Sequence, residues 1–355
     1  MNSKDWYKKG NELFEKSLTG AGTTEALTKS IEEVIEAFTK AIELDPEYSE
    51  AYRARGIHFE NLHNYSKAIE DYNKAIELNP KYIDAYFTRG DFLYNHGYYE
   101  EALSDYNFLI NLNPHDKSVY RGRGLVYREM GNYSNAIADL TKAIQLDKEY
   151  AGAYHSRGLA YAQSGKYEQA ISDYNMAIQL HSSLQDFGSE LEIIAYGCDR
   201  GDVYVKLGKY QEAINDYTEF INAAPKAGKV YSRRGYCYIN LGFYEFAIKD
   251  CNKAIELNPE DANAYNSRAL AYALSGNNQK AISDWNKTIE LVPDFGGAYV
   301  NRGVSYGELG DNQKAISDFD KAIKLNRDSI EIIKNEAKKG FKGPQYYLSL
   351  KGIEW

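Results

Sequence analysis

The chain has 355 residues, 43% hydrophobic and 26% charged, with a formal net charge of -9 and a pI near 5.4. That balance suits a folded protein and argues against a nucleic-acid track, which needs a continuous Lys/Arg face to displace counterions from phosphates. The opening residues carry no apolar core of signal-peptide length and no segment reaches membrane-spanning length, so the expectation is a cytoplasmic chain without membrane insertion.

The 33 tyrosines are too many unless one repeated slot calls for them. Gly56, Gly90, Gly124 and Gly158, then Gly201, Gly235, Ala269 and Gly303, stand 34 residues apart within each run, each after an Arg. Twelve positions later comes Ala68, Ala102, Ala136, Ala170, Ala213, Ala247, Ala281 or Ala315. Small residues at that spacing predict an all-α helix-turn-helix array, because two helices cross closely only where neither carries bulk. In chain order the repeats are expected at 3–48, 49–82, 83–116, 117–150, 151–184, 194–227, 228–261, 262–295 and 296–329, so residues 1–329 form the array and 330–355 close it.

The first repeat is irregular. Gly10 stands 24 positions before Val34, where Ala is expected after 12, so an insertion at about 17–30 should add a loop and extra helical turns. In the second, Tyr52, Arg55, Gly56 and Phe59 share one helical face and Asn64-Tyr65 forms the turn. Ala68, Ile69, Tyr72, Ala75, Ile76 and Leu78 then face inward until Pro80 stops the helix. Repeats ending at Lys148, Ser182 and Arg327 lack that proline and are expected to be softer joints. A second insertion, at 185–193, is read as lengthening a helix rather than forming a hinge.

Sixteen residues after each repeated Arg stands an Asp, from Arg55 and Asp71 to Arg302 and Asp318. A bare charge on an inward face is costly, so these are expected to pair as a structural ladder rather than to bind phosphate. The first repeat, with Lys9 and Ala37 at those places and Glu36 one position off, should stand outside the ladder. Asp328-Ser-Ile-Glu331 reads as a capping box opening a closing helix, which Lys338-Lys339-Gly340 ends. Pro344 then begins a short one carrying Tyr346, Tyr347, Leu348 and Leu350 before Ile353 and Trp355.

Ala51-Tyr52, Arg55-Gly56, Tyr65, Ala68-Ile69, Tyr72, Ala75-Ile76 and Leu78-Asn79-Pro80 together resemble the tetratricopeptide repeat, and the tail resembles closing units of bacterial arrays of that family. The resemblance implies a right-handed superhelical α-solenoid of nine repeats, lined on its concave side by outward positions of the first helices. Carried onto this chain, the groove candidates are Arg121, Arg128, Leu159, Tyr236, Ile239, Leu270, Leu274 and Val304. Apolar residues predominate there from the seventh repeat onward, which points to a groove for an apolar helix or an extended segment of a protein partner. The carboxylate clamp of the family's cochaperones does not match, because Tyr7, Ala54, Asp84 and Thr88 stand where it needs other side chains and only Asn11 fits.

No catalytic, cofactor or metal set emerges. His58 and His63 do not share a helical face, Gly122-Arg-Gly124 lacks a third glycine, and Cys198, Cys237 and Cys251 form no C-x-x-C pair. The expectation is a non-catalytic scaffold or adaptor; the alternatives are a regulatory or substrate-recruiting subunit of an enzyme complex and an element that self-associates end to end.

Overall fold

The computed structural model describes residues 1–19, 24–182 and 189–355, which hold twenty α-helices and no strand. The chain divides into two compact units, Met1–Lys166 and Tyr167–Trp355. The first contains α1 (Ser3–Thr19), α2 (Thr24–Leu44), α3 (Ser49–Asn61), α4 (Tyr65–Leu78), α5 (Ile83–Asn95), α6 (Tyr99–Leu112), α7 (Lys117–Glu129), α8 (Tyr133–Leu146) and α9 (Ala151–Gln163). The second contains α10 (Tyr167–Ser182), α11 (Ser189–Lys206), α12 (Tyr210–Ala223), α13 (Gly228–Asn240), α14 (Tyr244–Leu257), α15 (Ala262–Leu274), α16 (Asn278–Leu291), α17 (Gly296–Glu308), α18 (Asn312–Leu325), α19 (Ser329–Lys338) and α20 (Lys342–Lys351). Within each unit, consecutive helices pack on one another as a stack of hairpins. No described helix is long and apolar enough to cross a membrane.

Local chemistry sets the hairpin. A left-handed residue follows the first helix, Gly131 at φ 74° for example, and His63 at φ 57° takes that place in the second repeat. Asn64, Asn132, Asn277 or Asp311 then caps the second helix by accepting a backbone N–H three residues on. The softer joints do not occur at Lys148 and Arg327: α8 and α18 stop at the same repeat position as α4. Asn79, Asp147 and Asn326 all turn the chain by accepting the amide two residues on, so the stop does not depend on proline. At the third site α10 runs to Ser182, and 183–188 lie outside the described residues.

The repeated small residue makes room for the side chain sixteen positions later, a large one in every repeat of the ladder but that of Gly235 and Cys251. A Cβ on Gly56 would lie 2.6 Å from the Tyr72 ring, so substitution would force the helices apart. Each repeated Arg lies beside that contact. Seven Arg–Asp pairs lie within a unit and all close as two-point ion pairs; Arg55 Nε and Nη2 each donate to Asp71 at 2.8 Å. The third nitrogen, Nη1, donates back to the preceding second helix, as from Arg89 to Asn73, Arg123 to Asn107, Arg234 to Thr218 and Arg302 to Asn286. One guanidinium therefore joins its own repeat to the one before. Flanking rings complete the site, Arg234 lying 5.8 and 5.9 Å from Tyr231 and Tyr238, which accounts for part of the tyrosine excess.

The first repeat lies outside this ladder. Lys9 sits over the Trp6 ring, Ala37 is buried, and Glu36 pairs with Lys40 on the exposed side. Its helices have 17 and 21 residues where the next repeat has 13 and 14, so the insertion does add turns; residues 20–23 lie outside the described residues. α11 likewise has 18 residues, and the 185–188 part of the second insertion is not described.

The capping box at Asp328 does not form. Asp328 is itself helical in backbone and makes no side-chain cap bond; its N–H donates to Asn326 Oδ1, and Ser329 Oγ donates to the Ala322 carbonyl. α20 then returns across α17, where Tyr347 and Leu348 join Val300, Val304, Phe319 and Ile333 in one core. The crossing is backbone on backbone: a Cβ on Gly307 would lie 2.3 Å from Gly343 Cα.

Candidate functional site

A cleft of about 640 Å³ within the second unit opens between α11, α13 and α15. Asp202, Lys206, Lys229, Arg233, Tyr236 and Asn266 line it, with Asp261, Asn263 and the buried Tyr217 and Ser267 among the remaining walls. The Tyr217 hydroxyl donates to Asp202 Oδ1 at 2.6 Å, and Arg233 Nη1 lies 2.9 Å from Asp202 Oδ2. Burial pushes the Asp202 carboxyl above its ordinary range, while the Tyr217 hydrogen bond and the Arg233 charge pull it back. Burial and the carboxylate together raise the Tyr217 phenol, so it stays a donor.

The first unit repeats the arrangement between α5 and α7 in a cleft of about 340 Å³ lined by Phe87, Asp91, Tyr94, Asn95, Arg121 and Leu125 among others. Tyr106 donates to Asp91, and these two occupy the same repeat positions as Tyr217 and Asp202. In the second repeat Tyr72 donates to Glu60 at 2.8 Å. The acidic side chains of this face thus serve as acceptors for the polar tips of buried tyrosines. Where the buried residue has no hydroxyl, as with Leu140, Cys251 and Phe319, the matching outward position holds Leu125, Tyr236 or Val304.

Models of the tetratricopeptide repeat match at 151–184, 198–226, 228–261 and 260–335, and a model described as the TPR repeat matches at 63–97 and 124–165. The chain belongs to the tetratricopeptide repeat family. The structure of the APC/C hetero-tetramer Cut9-Hcn1 is similar at TM-score 0.54 and 16% identity over 90% of this chain and 64% of that one. The C-terminal part of a TPR protein from Cytophaga hutchinsonii is similar at TM-score 0.53 and 20% identity over 68% and 95%. MamA from Desulfovibrio magneticus RS-1 reaches TM-score 0.44 and 20% identity over 50% and 96%. At these identities the two likenesses above TM-score 0.5 show the fold alone. No curated protein is significantly similar to this chain. The fold and family support a protein-interaction scaffold in general.

Within the TPR frame the groove candidates separate. Tyr236 is 41% exposed and lines the large cleft, and Leu274 is 46% exposed. Arg121 lines the smaller cleft, its Nε 3.3 Å from Gly152 O and from Ser156 Oγ, while Arg128 is mostly covered and pairs with Glu129. Leu159 and Leu270 are half-buried. Ile239 and Val304 are not available as outward positions: Ile239 is buried with Ala247 and Ala271, and Val304 lies under α20. Part of the apolar run from the seventh repeat onward therefore has packing duty: α20 covers Val304, and Ile239 is closed in by its neighbours.

Asp202, Lys206, Lys229, Arg233 and Asn266 escaped the candidate set, although Asp202, Lys206 and Asn266 stood on the right face. The available signal was the pairing of an Asp directly after the repeat glycine with a Tyr sixteen positions after it. The three thiols are all buried, and burial pushes Cys198 up to about 11 and Cys237 and Cys251 up to about 12, so they remain protonated packing groups.

Proposed function

We propose that the protein is a non-catalytic scaffold that holds an extended segment of a partner protein in the cleft between α11, α13 and α15. The observation that carries this reading is the cleft itself: about 640 Å³, open, and lined by the exposed side chains of Lys206, Lys229, Tyr236 and Asn263 beside groups that the fold already engages. An extended segment suits it better than an apolar helix. A helix needs an apolar stripe several turns long, and burial of Ile239 and Val304 leaves only Tyr236 and Leu274 of the second unit's apolar candidates well exposed. The side-chain amide of Asn263 can bond both the N–H and C=O groups of an extended backbone, and the Asn266 NH2 can donate to a C=O.

The test is site-specific photocrosslinking in the source cell. A photoreactive residue at Tyr236 should capture a partner, whereas the same group at Phe246, more exposed and outside the cleft, should not. Equal capture at both positions, or capture at Phe246 alone, would refute the placement.

A further inference from the structure

We infer that the cleft of the second unit selects acidic segments, with Lys206, Lys229 and Asn266 receiving the carboxylates; this rests on the reading that the cleft holds an extended partner segment. The acidic groups of the cleft are already spent. Asp202 accepts from Tyr217 through Oδ1 and faces Arg233 through Oδ2. Asp261 caps α15, its Oδ1 accepting the amides of Asn263 at 3.0 Å and Ala264 at 3.1 Å, while Ser232 Oγ, which donates to the Lys229 carbonyl at 2.9 Å, lies 3.4 Å from its Oδ2. A basic ligand would find no unengaged carboxylate on these walls.

The donors stand in the opposite condition. Lys206 and Lys229 are exposed, and among the described residues neither has a carboxylate within ion-pair distance. Lys229 occupies the first turn of α13, where no acidic residue offsets it and where the helix dipole disfavours a cation. Its ammonium and the dipole add to one positive potential over the cleft, and an incoming anion relieves both. Asn266 is oriented by the buried Trp285, whose indole N–H donates to Asn266 Oδ1 at 3.2 Å. With its oxygen engaged, Asn266 has its NH2 donors left for a ligand acceptor. The smaller cleft of the first unit holds Asn95 and Ser118 at the positions of Lys206 and Lys229, so it lacks this pair of lysines.

The test uses the full chain and a random linear peptide library displayed on phage, followed by fluorescence anisotropy with the selected peptides. The expected result is enrichment of sequences rich in Asp and Glu, with affinity that falls as NaCl rises. Lys206→Gln and Lys229→Gln should each weaken binding by roughly three- to five-fold at low salt. Both lysines are exposed, so these variants should retain the wild-type circular dichroism. Enrichment without acidic bias, or a Lys206→Gln/Lys229→Gln double variant of full affinity, overturns the charge selection and leaves the cleft standing as a peptide site. Selected peptides whose binding is unchanged by Tyr236→Ala and Arg233→Gln, or a library that yields no binder, overturn the cleft reading and the charge selection together.

Discussion

The Arg234–Asp250 pair tests whether the array is held by its charges as a unit. Asp250→Ala leaves the Arg234 guanidinium, only 14% exposed, without the carboxylate that takes two of its nitrogens. Stranding a buried charge in this way costs about 3–5 kcal/mol. The lower end is expected here, because the Thr218 hydroxyl and the Tyr231 and Tyr238 rings stay in place. Arg234→Met strands Asp250, whose side chain is 7% exposed, at a similar cost of about 3 kcal/mol. Arg234→Met/Asp250→Leu leaves no unpaired charge, so its loss should be no larger than either single one, a coupling of roughly 3 kcal/mol or more. Hydrogen exchange of amides in α13 and α14 reads this locally, which suits an array whose repeats open one against the next. Additive single and double losses would refute the pairing as the source of stability.

Two other consequences are open to measurement. His58 is buried between Phe14 and Phe38 with Nδ1 lacking a hydrogen-bond partner, and burial lowers its pKa from 6.5 to about 4. Its neutral form therefore contributes stability that is full above pH 6.5 and is lost as pH falls through about 4, up to about 3 kcal/mol. His58→Phe should flatten the pH dependence of exchange in α2 and α3; an unchanged slope would assign the acid sensitivity elsewhere. Removing residues 340–355 strips α20 from Val300, Val304 and Phe319, at about 1.5–3 kcal/mol for each side chain fully uncovered. Faster exchange throughout α17 and α18 and new binding of a hydrophobic dye are expected, and protection equal to that of the full chain would show that α20 is not a cap.

The array was legible in the sequence because its causes are local. Gly56 is small because Tyr72 lies against it, Arg55 lies sixteen residues from the Asp that neutralises it, and Asn64 begins the helix it caps. Each repeat meets only its neighbours, so a 34-residue period carries nearly all the information the stack needs. The candidate site was only half legible. Helical periodicity put Tyr236, Val304 and Ile239 on one face, but whether an outward side chain stays free depends on what else the chain lays over it. α20 returns over Val304, the next hairpin closes over Ile239, and Tyr217 ties up the carboxylate of Asp202. Those are long-range packing events that no spacing encodes, and they decide which groups of the cleft are left for a partner.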